Sequence, residues 1–290
     1  MESQADPRVQ DWFLMSSPVP TMALTVLYLA FVFIGRIVMK NRKPFELRGP
    51  ILVYNAVLVA LNAWICFELV DSFIKENMSF KCNGVNTDPN NKNSKRIAVA
   101  IWWYYFSKCI EFLDTVFFVL RKKDEQISFL HLFHHSTMFN LWWMGVRWVP
   151  GGTSTISAAI NSGVHIIMYT YYALAAIPAM RPHLWWKRYL TQVQLTQFFV
   201  IFGSTSMALV ETRAGRCNFY EWMGWANLLY MILMISLFSL FYTKAYSKGK
   251  GKGAKAGRDD KAASSSSAAA ATATSTAVKS DARRRIKAST

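Results

Sequence analysis

Four short stretches of this chain place ionisable and amide side chains where an apolar helix would carry none. The first reads Lys108-Cys109-Ile110-Glu111-Phe112-Leu113-Asp114-Thr115. At about 100° per residue, Lys108, Glu111 and Thr115 share one helical stripe, with Asp114 at its flank. The second opens another apolar run with His131-Leu132-Phe133-His134-His135, three imidazoles within about 100° of arc. In the third, Asn161, His165, Met168, Tyr169 and Tyr172 follow i, i+4, i+7, i+8 and i+11, one polar stripe on an otherwise apolar helix. The fourth adds Thr191, Gln194 and Gln197. A lone buried histidine is ordinarily a satisfied structural group. Four of the chain's five histidines, together with Glu, Asp, Lys and two Gln, instead predict one shared pocket.

What could that pocket do? A His-x-x-His-His face can supply metal ligands, as in membrane di-iron desaturases and hydroxylases. Those enzymes need several such boxes. Here the fifth histidine, His183, falls in a loop, so two irons would lack ligands, while a single zinc on three histidines is crowded. Without metal, a neutral imidazole can act as general base or as nucleophile. Attack on a thioester gives an acyl-imidazole, which a carbanion from decarboxylating malonyl-CoA can attack in turn. A water-poor pocket protects such an intermediate. Cys109 is the rival nucleophile, but it points about 100° from Lys108 and about 140° from Asp114, off the polar stripe.

Apolar runs must position these groups. Runs of about 20 residues, enough to cross a hydrocarbon core of roughly 30 Å, recur near 21–39, 50–70, 97–120, 128–149, 153–175, 190–210 and 221–243. Backbone crossing lipid must satisfy its own hydrogen bonds, so the expected fold class is all-α integral membrane with seven transmembrane helices. The first run is too long for the core of a cleavable signal and no basic segment precedes it. Depth agrees with a shared pocket: at about 1.5 Å per residue, His134 and Asp114 lie roughly 9 Å and His165 roughly 15 Å from the ends expected to face the cytosol.

Charge sets orientation. Lys40, Arg42, Lys43 and Arg48 follow the first run; Arg121, Lys122 and Lys123 follow the third; Arg181, Lys187 and Arg188 follow the fifth. These belong in the cytosol, with the N-terminal segment 1–20 in the lumen. The loop 71–96 is also basic, yet it carries the glycosylation acceptor Asn77-Met78-Ser79, a lumenal feature. Of the +16 net charge, +9 lies from Lys244 onward, in a Lys-Gly and Ser/Ala-rich segment ending Arg283-Arg284-Arg285-Ile286-Lys287. Residues 246–290 lack apolar content and read as a disordered basic cytosolic tail beside anionic headgroups rather than a nucleic-acid binder. The terminal basic cluster also fits a retrieval signal. Cys66 and Cys109 lie within runs, whereas Cys82 and Cys217 lie in segments assigned to an oxidising lumen and are expected to pair.

Taken together the four motifs resemble those of the ELO family of very-long-chain fatty acid elongases. Lys108-x-x-Glu111-x-x-Asp114-Thr115 is similar to its KxxExxDT motif and His131-x-x-His134-His135 to its histidine box. Asn161-x-x-x-His165-x-x-Met168-Tyr169-x-Tyr171-Tyr172 and Thr191-x-x-Gln194-x-x-Gln197 resemble two further motifs, in the family's order, within roughly residues 20–245. Gln126-Ile127-Ser128-Phe129-Leu130, Leu141-Trp142-Trp143 and the segment Trp185–Leu190 look like animal elongases of polyunsaturated and very-long-chain acids.

The resemblance implies a multi-pass protein of the endoplasmic reticulum, with six of seven helices around a narrow acyl tunnel open to the cytosol. It implies condensation of a long-chain acyl-CoA with malonyl-CoA, without metal or tightly bound cofactor, by a ping-pong route through an acylated histidine. By position that histidine is His134, with His165 as its partner. Asp114 and Glu111 would orient and polarise the imidazoles, and His131 and His135 would support them by hydrogen bonds. Lys108, Asn161, Tyr169, Gln194 and Gln197 would bind the thioester or malonyl group; Lys122, Lys123, Lys187 and Arg188 would meet the CoA phosphates. A ketoreductase, a dehydratase and an enoyl reductase must act on the product, and a homo- or hetero-oligomer is compatible with the chain. A di-iron oxidase and a seven-helix transporter or receptor are the competing readings, although the polar groups gather toward the cytosol and no inverted repeat is evident.

Overall fold

The computed structural model describes residues 5–88 and 90–246. The tail expected to be disordered, and its terminal basic cluster, lie outside the described residues. Eight α-helices and no strand occur among them: α1 Val19–Met39, α2 Arg48–Lys75, α3 Lys92–Ile110, α4 Phe112–Leu120, α5 Phe129–Trp148, α6 Ser154–Ala176, α7 Lys187–Arg213 and α8 Glu221–Tyr246. Each of the seven apolar runs falls on helix. The third is divided at Glu111, where α3 stops and α4 starts.

Local chemistry places the boundaries. The Asn91 side chain accepts from Ser94 N–H and begins α3, and Ser128 accepts from His131 N–H and begins α5. This second cap fixes the histidine box in the first turns of its helix. Ile177 precedes Pro178, which disfavours helical backbone, and α6 ends one residue earlier. Between α5 and α6 the chain turns through Gly152 at φ +58°; a Cβ there would stand 2.6 Å from the Asn83 carbonyl oxygen. Only glycine fits both demands.

The helices pack mainly as α2 on α6 and α3, α5 on α3 and α1, α4 on α1, and α7 on α6. One end gathers the loops after α2, α5 and α7. There Thr153 N–H bonds Asn83 O at 3.0 Å, and Cys82 is bonded to Cys217. Residues of the N-terminal segment fold onto this same end: Asp6 N–H bonds Arg147 O at 2.9 Å, Arg8 pairs with Asp6 and Ser94, and Val9 and Met15 are fully buried. The opposite end holds the start of α5 and the ends of α1 and α4, joined by Phe45 N–H to Leu120 O at 3.0 Å. From Leu240 onward, the described residues form the last turns of α8, where Thr243 Oγ1 donates to Leu240 O at 3.0 Å.

Polarity is inverted relative to a water-soluble bundle. Val26, Phe33 and Ile37 of α1 are exposed, as are Val53, Phe67 and Ile74 of α2, while Lys108, Glu111, Asn55 and Asn62 are buried. An apolar exterior of this extent requires a lipid solvent. Four helices, α1, α2, α7 and α8, are long and apolar enough to cross a membrane by length and composition alone. The protein is a multi-pass membrane protein.

Candidate active site

The helix break at Glu111 is the centre of the site. Asp114 N–H bonds Glu111 O at 3.1 Å, so the ladder skips the Ile110 carbonyl, which accepts from the Tyr54 hydroxyl of α2 at 3.4 Å. Interrupted helices of this kind re-aim side chains near functional sites. The Glu111 carboxylate, 1% exposed, is turned onto two cations-in-waiting from its own helix and from α6. Lys108 Nζ donates to Glu111 Oε1 at 2.7 Å, and His165 Nδ1 lies 3.1 Å from the same oxygen. That last contact is within ion-pair reach but is not aligned as a hydrogen bond. The Ser107 hydroxyl donates to Oε1 at 3.4 Å.

A second relay extends from this pair. Tyr104 Oη donates to Asn161 Oδ1 at 2.5 Å, and Asn161 Nδ2 donates to Gln197 Oε1 at 3.1 Å. Lys108 Nζ stands 3.5 Å from Asn161 Oδ1 and 4.4 Å above the Tyr104 ring, which links the relay to the ion pair. So α3, α6 and α7 each contribute to one continuous polar network without access to bulk solvent. Buried charges tolerate this only when paired and hydrogen-bonded, as here.

Three imidazoles of α5 face the network in different states. His131 Nε2 is 2.7 Å from Thr115 Oγ1, itself 2.9 Å from Tyr28 Oη. His135 is buried between its neighbours, with its ring 4.3 Å from His131 and 5.6 Å from His134. His134 is half-buried; its Nδ1 is shielded from solvent yet has no hydrogen-bond partner. Within the cluster His165 Nδ1 shares that condition.

Of the remaining expected residues, Asp114 accepts from Tyr169 Oη at 2.8 Å, below the Glu111 cluster on α4. Gln194 Nε2 contacts Met168 Sδ at 3.3 Å. Cys109 is half-buried within the apolar core. Lys123, Lys187 and Arg188 are exposed at the helix ends, with Arg188 5.1 Å from the Tyr189 ring. Lys122 is also exposed, and its Nζ donates to the carbonyls of Lys40 at 2.9 Å and Arg42 at 3.2 Å, closing the end of α1. Asn77, the glycosylation acceptor, is exposed at the far end of the bundle with φ +49°.

Tyr104 and Ser107 were not anticipated. Tyr104 lies one helical turn before Lys108, so extending the polar stripe by four residues would have found it. Among the described residues no three His, Cys, Asp or Glu side chains converge with the geometry of a metal centre.

Tyr104 and Asn161 also line one end of a mainly apolar cavity between α3, α5, α6, α7 and α8. Trp142 and Gly145 form one wall, Phe198 and Ile201 another, and Val149 and Phe219 stand at the disulfide end. Along α5 the lining spans Met138 to Val149, roughly 16 Å at the helical rise.

A membrane-embedded bundle whose buried carboxylate, ammonium and imidazole groups connect through Tyr104 and Asn161 to an apolar slot suits an enzyme of amphipathic substrates. The chain belongs to the ELO family (GNS1/SUR4 family), whose pattern it matches over residues 13–254. It is 48% identical over 249 residues to very long chain fatty acid elongase 4 of Macaca mulatta and 47% identical to that of Homo sapiens, covering 86% of this chain and 78% of each relative. Very long chain fatty acid elongase 5 of Xenopus tropicalis is 45% identical over 84% of this chain and 80% of that protein.

Proposed function

We propose that this chain condenses a long-chain acyl-CoA with malonyl-CoA to give a 3-ketoacyl-CoA two carbons longer, CO2 and CoA, with His134 as the covalent carrier. The observation that carries the reading is the Lys108–Glu111–His165 cluster, which reaches the wall of the apolar cavity through Tyr104 and Asn161, together with an unpartnered His134 Nδ1 in the histidine box. His134 attacks the thioester carbonyl; the carbon–sulfur bond breaks, CoA leaves and takes up a proton, and the acyl-imidazole remains. Malonyl-CoA then loses CO2, and its carbanion attacks the acyl carbon, forming the new carbon–carbon bond and freeing His134.

Each neighbour has a part. Glu111 fixes His165 opposite the reacting carbonyl, and Lys108 neutralises that carboxylate so that it can remain buried. Tyr104, Asn161 and Gln197 offer a preorganised polar wall for the thioester and malonyl oxygens. Asp114 holds Tyr169, Thr115 holds His131, and His135 packs the box. The reaction runs without metal in a tunnel formed by six of seven membrane-crossing helices: α3 continued by α4 makes one crossing, and α5 and α6 join the four most apolar helices. Lys123, Lys187 and Arg188 face the cytosol and meet the CoA phosphates; the disulfide end lies in the lumen of the endoplasmic reticulum. The similarity to elongases 4 and 5 favours very-long-chain acyl-CoAs, and the resemblance of Gln126–Leu130, Leu141–Trp143 and Trp185–Leu190 to the polyunsaturated subgroup favours polyunsaturated ones, with the reductases and dehydratase of the cycle acting next.

Purified full-length protein, malonyl-CoA and a panel of acyl-CoAs test this in the presence of a chelator. CO2 release with a product two carbons longer is expected. A requirement for restored metal would overturn the metal-free route, and no release from folded protein with any acyl-CoA would overturn the condensation itself.

A further inference from the structure

The apolar cavity ends on residues that belong to three loops, and those loops are tied together from behind. Val149 and Thr153 come from the α5–α6 turn and Phe219 from the segment after α7; all three line the cavity. Behind them, Val149, Ala208 and Phe219 form an apolar cluster packed directly against Cys82 and Cys217. Thr153 receives Asn83 N–H on its hydroxyl at 2.9 Å and donates that hydroxyl to Asn83 O at 3.2 Å. The fit is close: a Cβ on Gly84 would stand 3.0 Å from Asn218 O, and one on Gly152 2.6 Å from Asn83 O. The single covalent link across this junction is Cys82–Cys217, separated by 135 positions in sequence.

The same disulfide faces outward. Both cysteines are half-buried and line a polar recess of about 450 Å³ with Glu76, Asn86, Arg216 and Asn218. The disulfide thus backs the residues that floor the apolar cavity on one side and lines a polar recess with room for a small dithiol on the other.

We propose that the Cys82–Cys217 disulfide pins the floor of the acyl cavity and thereby sets the longest chain the protein elongates, so that its reduction from the recess raises that limit. The inference rests on the condensation reading. In the redox step, two electrons and two protons pass from a dithiol: its two S–H groups close into a disulfide, and Cys82 and Cys217 become free thiols. Phe219 then loses its tether to the loop carrying Asn83, and the floor yields by the length of one further two-carbon unit. The polar network at the other end of the cavity contains neither cysteine, so the chemistry itself is unaffected.

The experiment uses full-length protein in detergent with a series of acyl-CoAs of increasing length. One sample is oxidised, one is reduced with dithiothreitol that is then removed anaerobically, and thiol state is read from the alkylated Cys82 and Cys217 peptides. Cys82→Ser/Cys217→Ser supplies the same state without reductant, and Phe219→Ala opens the floor with the disulfide intact. The expected result is a five-fold or greater gain with acyl-CoAs one two-carbon step beyond the oxidised limit, while turnover of a shorter acyl-CoA changes less than two-fold. An unchanged limit with both thiols alkylated would overturn the proposal, as would equal loss at every length, which would assign the disulfide to folding alone. If oxidised protein releases no CO2 with any acyl-CoA, the condensation reading fails first and takes this one with it.

Discussion

Neutralising Glu111 tests whether the buried cluster is electrostatic support, chemistry or both. Its carboxylate is 1% exposed and paired with an ammonium that is 2% exposed, at 2.7 Å. Glu111→Gln keeps the volume and an acceptor oxygen but leaves the Lys108 ammonium buried without a counter-charge. Removing one partner of a buried pair costs about 3–5 kcal/mol, and the retained oxygen places this variant near 3. At roughly 2–4 °C per kcal/mol for a body of this size, the unfolding midpoint in detergent should fall by about 6–12 °C. Lys108→Met should cost a similar amount for the converse reason. The double variant Lys108→Met/Glu111→Gln removes both charges; replacing a buried pair by neutral groups is often close to neutral, so it should recover to within about 1 kcal/mol of the parent. The double-mutant coupling would then be about 5 kcal/mol. Activity should behave differently. With no carboxylate 3.1 Å from His165 Nδ1, CO2 release should stay about 100-fold or more below the parent in both Glu111→Gln proteins, the scale of a lost acid–base group. A Glu111→Gln midpoint within 2 °C of the parent would refute the buried-pair argument, at about the effect of a single surface change. Activity returning together with stability in the double variant would refute the role of Glu111 toward His165.

Three further outcomes follow from individual contacts. His134→Ala should lose detectable 3-ketoacyl-CoA while keeping its gel-filtration profile and the Cys82–Cys217 bond; near-parental turnover would remove it as the nucleophile. Gly152→Ala, which forces a side chain into φ +58° and against Asn83 O, should cost about 1–3 kcal/mol, whereas Gly49→Ala, with open space around it, should change stability by less than about 1 kcal/mol. Lys122→Ala should lower stability by about 0.3–1 kcal/mol through loss of its cap on α1 and leave KM for acyl-CoA within two-fold; combined alanine substitution of Lys123, Lys187 and Arg188 should raise that KM, and the reverse pattern would return Lys122 to the phosphate site.

The polar stripes were legible because an apolar background makes each ionisable residue conspicuous. Lys108, Glu111, Asn161, His165 and Gln197 were singled out from spacing alone, and the fold joins them in one network. The break at Glu111 was not legible. Helical spacing is the same for a continuous helix and for two segments meeting at one αR residue, φ −62° and ψ −15°. Tyr104 escaped because tyrosine is unremarkable in a membrane run rich in Trp and Tyr; only its 2.5 Å bond to Asn161 separates it from its neighbours. The contact of Lys122 with the end of α1 was hidden for a related reason: a basic residue after a helix can face the cytosol, bind phosphate or close another helix end, and sequence carries the same letter for all three.

Hydropathy and function also pull against each other here, and that conflict explains which helices are hardest to recognise. The four helices that satisfy a length-and-apolarity criterion are α1, α2, α7 and α8. The cluster is built chiefly from α3, α4, α5 and α6: α4 is only nine residues long, and the polar residues of α3, α5 and α6 depress the signal that would mark them as spanning. They can stay in lipid because their polar atoms are spent on one another: Lys108 on Glu111, Tyr104 on Asn161, Thr115 on His131, Tyr169 on Asp114. Satisfaction is therefore the rule inside this bundle, and an exception acquires meaning. Among the described residues the Nδ1 atoms of His134 and His165 are such exceptions within the imidazole cluster; Asn62, Ser72, Arg147, Thr155 and Ser162 supply others outside it. His131 has acquired such a partner in Thr115, and we propose that His134, shielded and unpartnered one turn further on the same helix, is left open for a substrate that supplies the missing contact.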